Sequence, residues 1–165
     1  MEQLEALVGI SQLGIALSGF AGVVFALSGR DAIALPENRS RLRVLLQNGL
    51  AASFLSLIPQ FLWGLMSAET VWALSSVAFV LYATASTVRI WRDALRARQA
   101  DPALSERVPR GFTILLSVCA VFVVILQVGN IVLWQSFNVF FLGVAFVLLV
   151  AALMFTQLLS SKLSA

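Results

Sequence analysis

The chain has 165 residues, of which 60% are hydrophobic and only 12% charged. Soluble domains run at about 45–50% apolar and about 25% charged, and a soluble fold of this size has too much surface for its volume to hide so much apolar area. The net charge is +3, with no histidine and one cysteine, Cys119, which excludes an intrachain disulfide and a cysteine-cluster metal site. The class indicated is all-α: a polytopic helical membrane protein, with residues 1–165 forming one transmembrane domain.

A bilayer core of about 30 Å takes roughly 20 apolar residues of helix. Five segments meet this, at about 4–28, 44–66, 70–92, 111–134 and 137–160. The first carries Glu2 and Glu5 ahead of its apolar run, with no basic residue, so it does not read as a secretory signal peptide. Turned at 100° per residue, it gathers Ser11, Gln12, Gly14, Ser18, Gly19, Ala21 and Gly22 on one half and Leu13, Leu17, Phe20, Val23, Val24 and Leu27 on the other. Gly14, Ser18 and Gly22 have the small-xxx-small spacing that lets helix backbones approach closely. The same face could instead meet water, with Phe25 as a hydrophobic constriction near its arginine-flanked end.

The second span repeats the pattern with Gly49, Ser53, Ser56, Gln60, Gly64 and Ser67, and Pro59 predicts a kink within it. The third has a thinner stripe of Ser75, Phe79, Tyr82, Ser86 and Arg89, and RIWRDALRARQ (89–99) continues its helix beyond the apolar layer. In the fourth, Gln127, Asn130 and Trp134 share a face. The fifth is nearly uniform in apolar residues and is expected to be the most lipid-exposed. The short links SAET (67–70) and QSF (135–137) make antiparallel hairpins of spans two and three and of spans four and five.

All eleven Lys and Arg fall on one side of this five-span arrangement, around residues 30–43, around 89–110 and at Lys162, while Glu2, Glu5 and Glu69 fall on the other. The positive-inside rule then places the N-terminus outside and the C-terminus in the cytoplasm, and the expected setting is a bacterial inner (plasma) membrane. Trp63, Trp72 and Trp134 would lie at the outer interface and Trp91 at the inner one. Arg89, Arg92, Arg96 and Arg98 could hold anionic lipid headgroups, at about 1 kcal/mol per basic residue, or a cytoplasmic protein. Nucleic acid is not the expected partner, because the basic loops are short and lie against the membrane.

No Asp, Glu, Lys or Arg lies in the middle of a span, which argues against proton-coupled transport. Metal ligands, an activated nucleophile and phosphate-binding motifs are all missing, so neither an enzyme nor a cofactor is expected. The leading expectation is a homo-oligomeric pore or channel of weak ion selectivity. Its lining or vestibule would be Ser11, Gln12, Ser18, Phe25, Ser53, Ser56, Gln60, Gln127 and Asn130, with Gly14, Gly19, Gly22, Gly49 and Gly64 packing helices. The alternatives are a non-conducting structural or accessory membrane subunit that binds partner helices and a cytoplasmic protein, and a facilitator for small neutral solutes.

Overall fold

The computed structural model describes residues 2–27, 36–100 and 110–163. Five helices follow one another, with no strand among the described residues: α1 (Glu2–Leu27), α2 (Pro36–Leu62), α3 (Ala68–Ala100), α4 (Arg110–Gly129), which runs into a π-helical turn over Asn130–Trp134, and α5 (Phe137–Leu163). All five are long and apolar enough to cross a membrane, in stretches of 21 to 25 residues, or roughly 32–38 Å at 1.5 Å per residue. The second helix starts well before the expected 44, because Pro36 suits a first helical position: its φ is pre-set and its missing N–H would be unpaired there anyway. The third continues through RIWRDALRARQ to Ala100. Arg30 and Arg107 lie outside the described residues.

The two short links turn sharply. Between α2 and α3, Gly64 takes φ 88°, a left-handed conformation suited to glycine. Ser67 then opens α3, its Oγ accepting the Thr70 N–H at 3.4 Å. Between α4 and α5, Gln135 takes φ 45° and its N–H closes on the Asn130 carbonyl at 2.9 Å. Both turns lie at the same end of the bundle: the Trp72 ring sits 5.8 Å from that of Trp63 and 5.3 Å from that of Phe137. Trp72 is therefore packed between helices at that end, only 4% exposed. The Ser53–Ser11 bond with the Gly14–Gly49 approach, and the Gln47–Ser86 bond with the Trp63–Trp72 contact, show that α1 and α3 both run antiparallel to α2. Glu2, Glu5 and Glu69 thus share one end, and Arg39, Arg41, Arg43, Arg89, Arg92 and Arg96 share the other.

The middle of the bundle is α2 against α5, with α1 packed on both from one flank and α3 from the other. The buried positions advance by alternating steps of three and four: Leu7, Ser11, Gly14, Ser18 and Ala21 on α1, Leu42, Leu45, Gly49, Ala52, Ser56 and Pro59 on α2, and Phe140, Val144, Val147 and Ala151 on α5. This spacing keeps a seam facing its partner along the whole helix, as in left-handed bundles. The expectation that α5 is the most lipid-exposed helix is overturned, because its seam of Phe, Val and Ala fits between α1, α2, α3 and α4. The most exposed helix is α4, where only 17% of the apolar stretch is buried. Ile114, Val118, Val121, Phe122 and Ile125 face outward, as do Phe54, Phe61 and Leu81 on the other helices.

At the crossing of α1 and α2 there is no room for side chains. A Cβ on Gly14 would lie 2.5 Å from the Gly49 carbonyl oxygen, and one on Gly49 would meet the Ser18 hydroxyl. Gly14→Ala should therefore destabilise the bundle by about 1–3 kcal/mol through overpacking against backbone. Gly19→Ala, where a Cβ meets nothing within 4 Å, should be neutral or stabilising by up to about 1 kcal/mol. SDS-titrated unfolding of the purified protein in mixed micelles measures both, and equal responses would contradict the close crossing.

Candidate functional site

The polar residues of the helix interfaces divide into three groups. The first is the α1–α2 seam, where Ser11, Ser18, Ser53 and Ser56 are all buried. The Ser53 hydroxyl lies between the helices, 2.9 Å from the Ser11 carbonyl oxygen and 3.0 Å from that of Gly49. Ser56 donates to the Ala52 carbonyl one turn back, at 2.8 Å. A hydroxyl in an apolar interior can be satisfied by its own helix in this way, without water. The Ser18 hydroxyl occupies the space that a Gly49 side chain would need, and it has no hydrogen-bond partner. Phe25 is half-buried beside Ala21, Leu42, Leu45 and Leu158.

The second group holds the α4–α5 hairpin together. Asn130, fully buried, accepts the Ser136 backbone N–H at 2.8 Å and donates to the Ser136 carbonyl at 3.1 Å and to Ser76 Oγ at 2.8 Å. One side chain thereby closes the turn and ties it to α3. Gln127, also fully buried, donates to the Val139 carbonyl at 2.6 Å. Its amide fits because residue 143 is glycine: a Cβ there would meet Gln127 Nε2 directly and Phe79 at 3.1 Å. The Gln127 carbonyl oxygen is buried without a partner.

The third group was not found by sequence reasoning. Tyr82 on α3 donates to Asn48 Oδ1 at 2.8 Å, and Gln47 donates to Ser86 Oγ at 3.0 Å, so two amides of α2 join it to α3. Tyr82 and Ser86 stood out as a stripe, but their partners lie next to the arginines, where a polar residue reads as interfacial. Gly143 was equally hidden in a uniform apolar run.

The amides Gln12, Gln60, Gln127 and Asn130 share no hydrogen bond with one another among the described residues. Gln60 is half-buried and reaches only its own helix, at the Ser56 carbonyl 3.5 Å away. Gln12 is exposed and makes no side-chain hydrogen bond among the described residues. Of the glycines, Gly14 and Gly49 form the crossing, whereas Gly19 and Gly22 have open space around them and Gly64 is a turn residue. The strict i+4 row Gly14–Ser18–Gly22 leaves the seam at its last step, since two steps of four overshoot, and Ala21 takes the buried place. Arg89, Arg92 and Arg96 are exposed on the last turns of α3, and Arg98 is on the same helix. Among the described residues no group of His, Cys, Asp or Glu could hold a metal ion.

Asn130→Ala leaves the Ser136 N–H without its partner and should destabilise by about 1–3 kcal/mol. Gln12→Ala, on the open face of α1, should change the protomer's stability by less than about 0.5 kcal/mol. The same SDS titration distinguishes them. Comparison with known proteins found no matching family model, no matching curated protein and no matching solved structure.

Proposed function

We propose that this chain is an integral membrane protein with its N-terminus outside and its C-terminus in the cytoplasm, acting as a non-conducting accessory subunit that docks a partner helix on the outer face of α1. The segregation of the arginines from Glu2, Glu5 and Glu69 at opposite ends of the bundle supports the orientation. The apolar exterior, with Phe54 66% and Phe61 74% exposed, supports insertion.

The observation that carries the docking reading is a second seam on α1. Gln12, Ala16, Gly19, Val23 and Ala26 are all exposed and follow one another in steps of four and three, on the side away from α2. Ala16, Gly19 and Ala26 are small enough in this spacing to admit a neighbouring helix closely. Gln12 lies about 15 Å along the helix from Glu2, at a depth where an amide facing hydrocarbon costs several kcal/mol. A polar group across the seam would satisfy it, and the α1 of a second copy offers one in its own Gln12. A pore is served poorly: Ser11, Ser18, Ser53, Ser56, Gln127 and Asn130 are buried within one protomer and Gln60 is half-buried, which leaves Gln12 as the one exposed polar residue of that expected lining. The arginine-bearing end remains the natural place for a cytoplasmic protein.

A photo-crosslinking residue at Ala16 should give a discrete adduct in native membranes, whereas one at Val121 on α4 should not. Gln12→Leu combined with Gly19→Leu should abolish that adduct, and its mass tells a second copy from another protein. Purified protein in liposomes should pass neither ions nor small neutral solutes. Flux that scales with protein and is altered by Gln12→Leu would reinstate the pore or facilitator.

A further inference from the structure

Helix α3 runs on to Ala100, past the end of its apolar stretch at Arg92. Its segment RIWRDALRARQ (89–99) holds four arginines against one carboxylate, Asp93. At the same end of the bundle, Arg39, Arg41 and Arg43 of α2 each have an interaction partner already. Arg89, Arg92 and Arg96 differ: all three are exposed, and apart from the Tyr82 hydroxyl near Arg89 none has a hydrogen bond or ion pair among the described residues. We infer that these three guanidinium groups hold the phosphate of one anionic phospholipid, with an acyl chain laid along Leu81, Ala85 and Val88 of the same helix.

Helix geometry brings the three arginines together, since at 3.6 residues per turn they fall within about 60° of one another. Leu81, Ala85, Val88 and Arg92 follow in steps of four, three and four, so the same face continues into the apolar layer. All four are exposed. They lie nearly opposite Ser76, whose Oγ accepts from Asn130 of α4, so α4 packs on the other side of the helix. Arg89 stands roughly 4.5 Å inside the end of the apolar stretch and Arg96 roughly 6 Å beyond it. Their long side chains can bend toward one headgroup layer, which is about 5–7 Å deep. Trp91, 71% exposed at the same height, is the kind of ring that settles at that boundary. Depth favours lipid over a soluble acidic protein, because Arg89 stands where a lipid phosphate reaches and a cytoplasmic protein does not. Guanidinium groups match phosphate oxygens in pairs. A zwitterionic headgroup would bring its own cation among three arginines, whereas phosphatidylglycerol brings none, so charge complementarity selects the anionic lipid.

The inference rests on the proposed membrane insertion, and the test separates the two. The full chain is reconstituted in phosphatidylcholine vesicles containing a minor share of phosphatidylglycerol, extracted in mild detergent and assayed for retained lipid by native mass spectrometry. The expected result is one phosphatidylglycerol per protomer, enriched over phosphatidylcholine by roughly fivefold for each arginine engaged. Arg89→Gln, Arg92→Gln and Arg96→Gln together should reduce that enrichment by roughly tenfold or more. Ala85→Trp, at an exposed position that tolerates bulk, should lower retention with every arginine in place. Arg39→Gln, Arg41→Gln and Arg43→Gln together should leave the enrichment unchanged. Enrichment that survives the α3 change, or that falls equally in the α2 variant, would mean diffuse surface charge and overturn the site. Displacement of the lipid by inorganic phosphate would assign the arginines to a soluble anion, and displacement by a polyglutamate peptide would assign them to an acidic protein; either overturns the lipid site. Wild-type protein that fails to float with the vesicles would instead remove the membrane reading itself.

Discussion

The bundle depends on one close approach, that of the α1 and α2 backbones at Gly14 and Gly49. Neither position has room for a Cβ, and the Ser18 and Ser53 hydroxyls fill the space on either side. Small residues let the two backbones come close enough for van der Waals contact and an interhelical hydrogen bond to operate together, the pairing that holds helices where no hydrophobic force acts between them. With α1 held this closely, α2 becomes a central helix with α5 behind it. The far side of α1 is left with a seam of its own, and the proposed helix contact occupies that surface.

Most buried polar donors bond to the main chain. Ser53, Ser56, Ser75 and Gln127 donate to main-chain carbonyls, and Asn130 closes the turn it sits beside. Each such bond satisfies a donor that would otherwise be buried unpaired in an apolar interior. That economy makes the contrast with Gln12 informative, since it is exposed within the first apolar stretch and makes no side-chain hydrogen bond among the described residues. Gln60, by comparison, is half-buried and reaches its own helix.

Much of the architecture was legible in the sequence because bilayer thickness makes a coarse demand: about 20 apolar residues per span, with arginines marking one side. The five helices and the two tight hairpins follow from that. The faces were legible only in part. A half-turn of α1 contains both seams, so Ser11, Gly14 and Ser18 were grouped with Gln12, Gly19 and Gly22, and only the position of α2 separates the buried set from the exposed one. The burial of α5 was illegible for a related reason: in a run of Phe, Val, Leu and Ala, hydrophobicity does not distinguish a core-facing seam from a lipid-facing one. Gly143 was the available signal, a small residue opposite Gln127. Gln47 and Asn48 were missed because their partners, Ser86 and Tyr82, are 39 and 34 residues away in the chain.

The central claim is that the small, polar face shared by α1 and α2 is a dry contact within one protomer. Its most direct test is the reactivity of single cysteines at Ser18, Ser53 and Ser56, in a Cys119→Ala background, toward a membrane-impermeant, water-soluble thiol reagent applied to each side of reconstituted vesicles in turn. The account predicts no labelling at these three positions from either side, with rapid labelling of a cysteine at Ser67 in the exposed turn from the side it faces. Labelling of Ser18, Ser53 and Ser56 at rates close to that of Ser67 would show that the face meets water and would contradict the account.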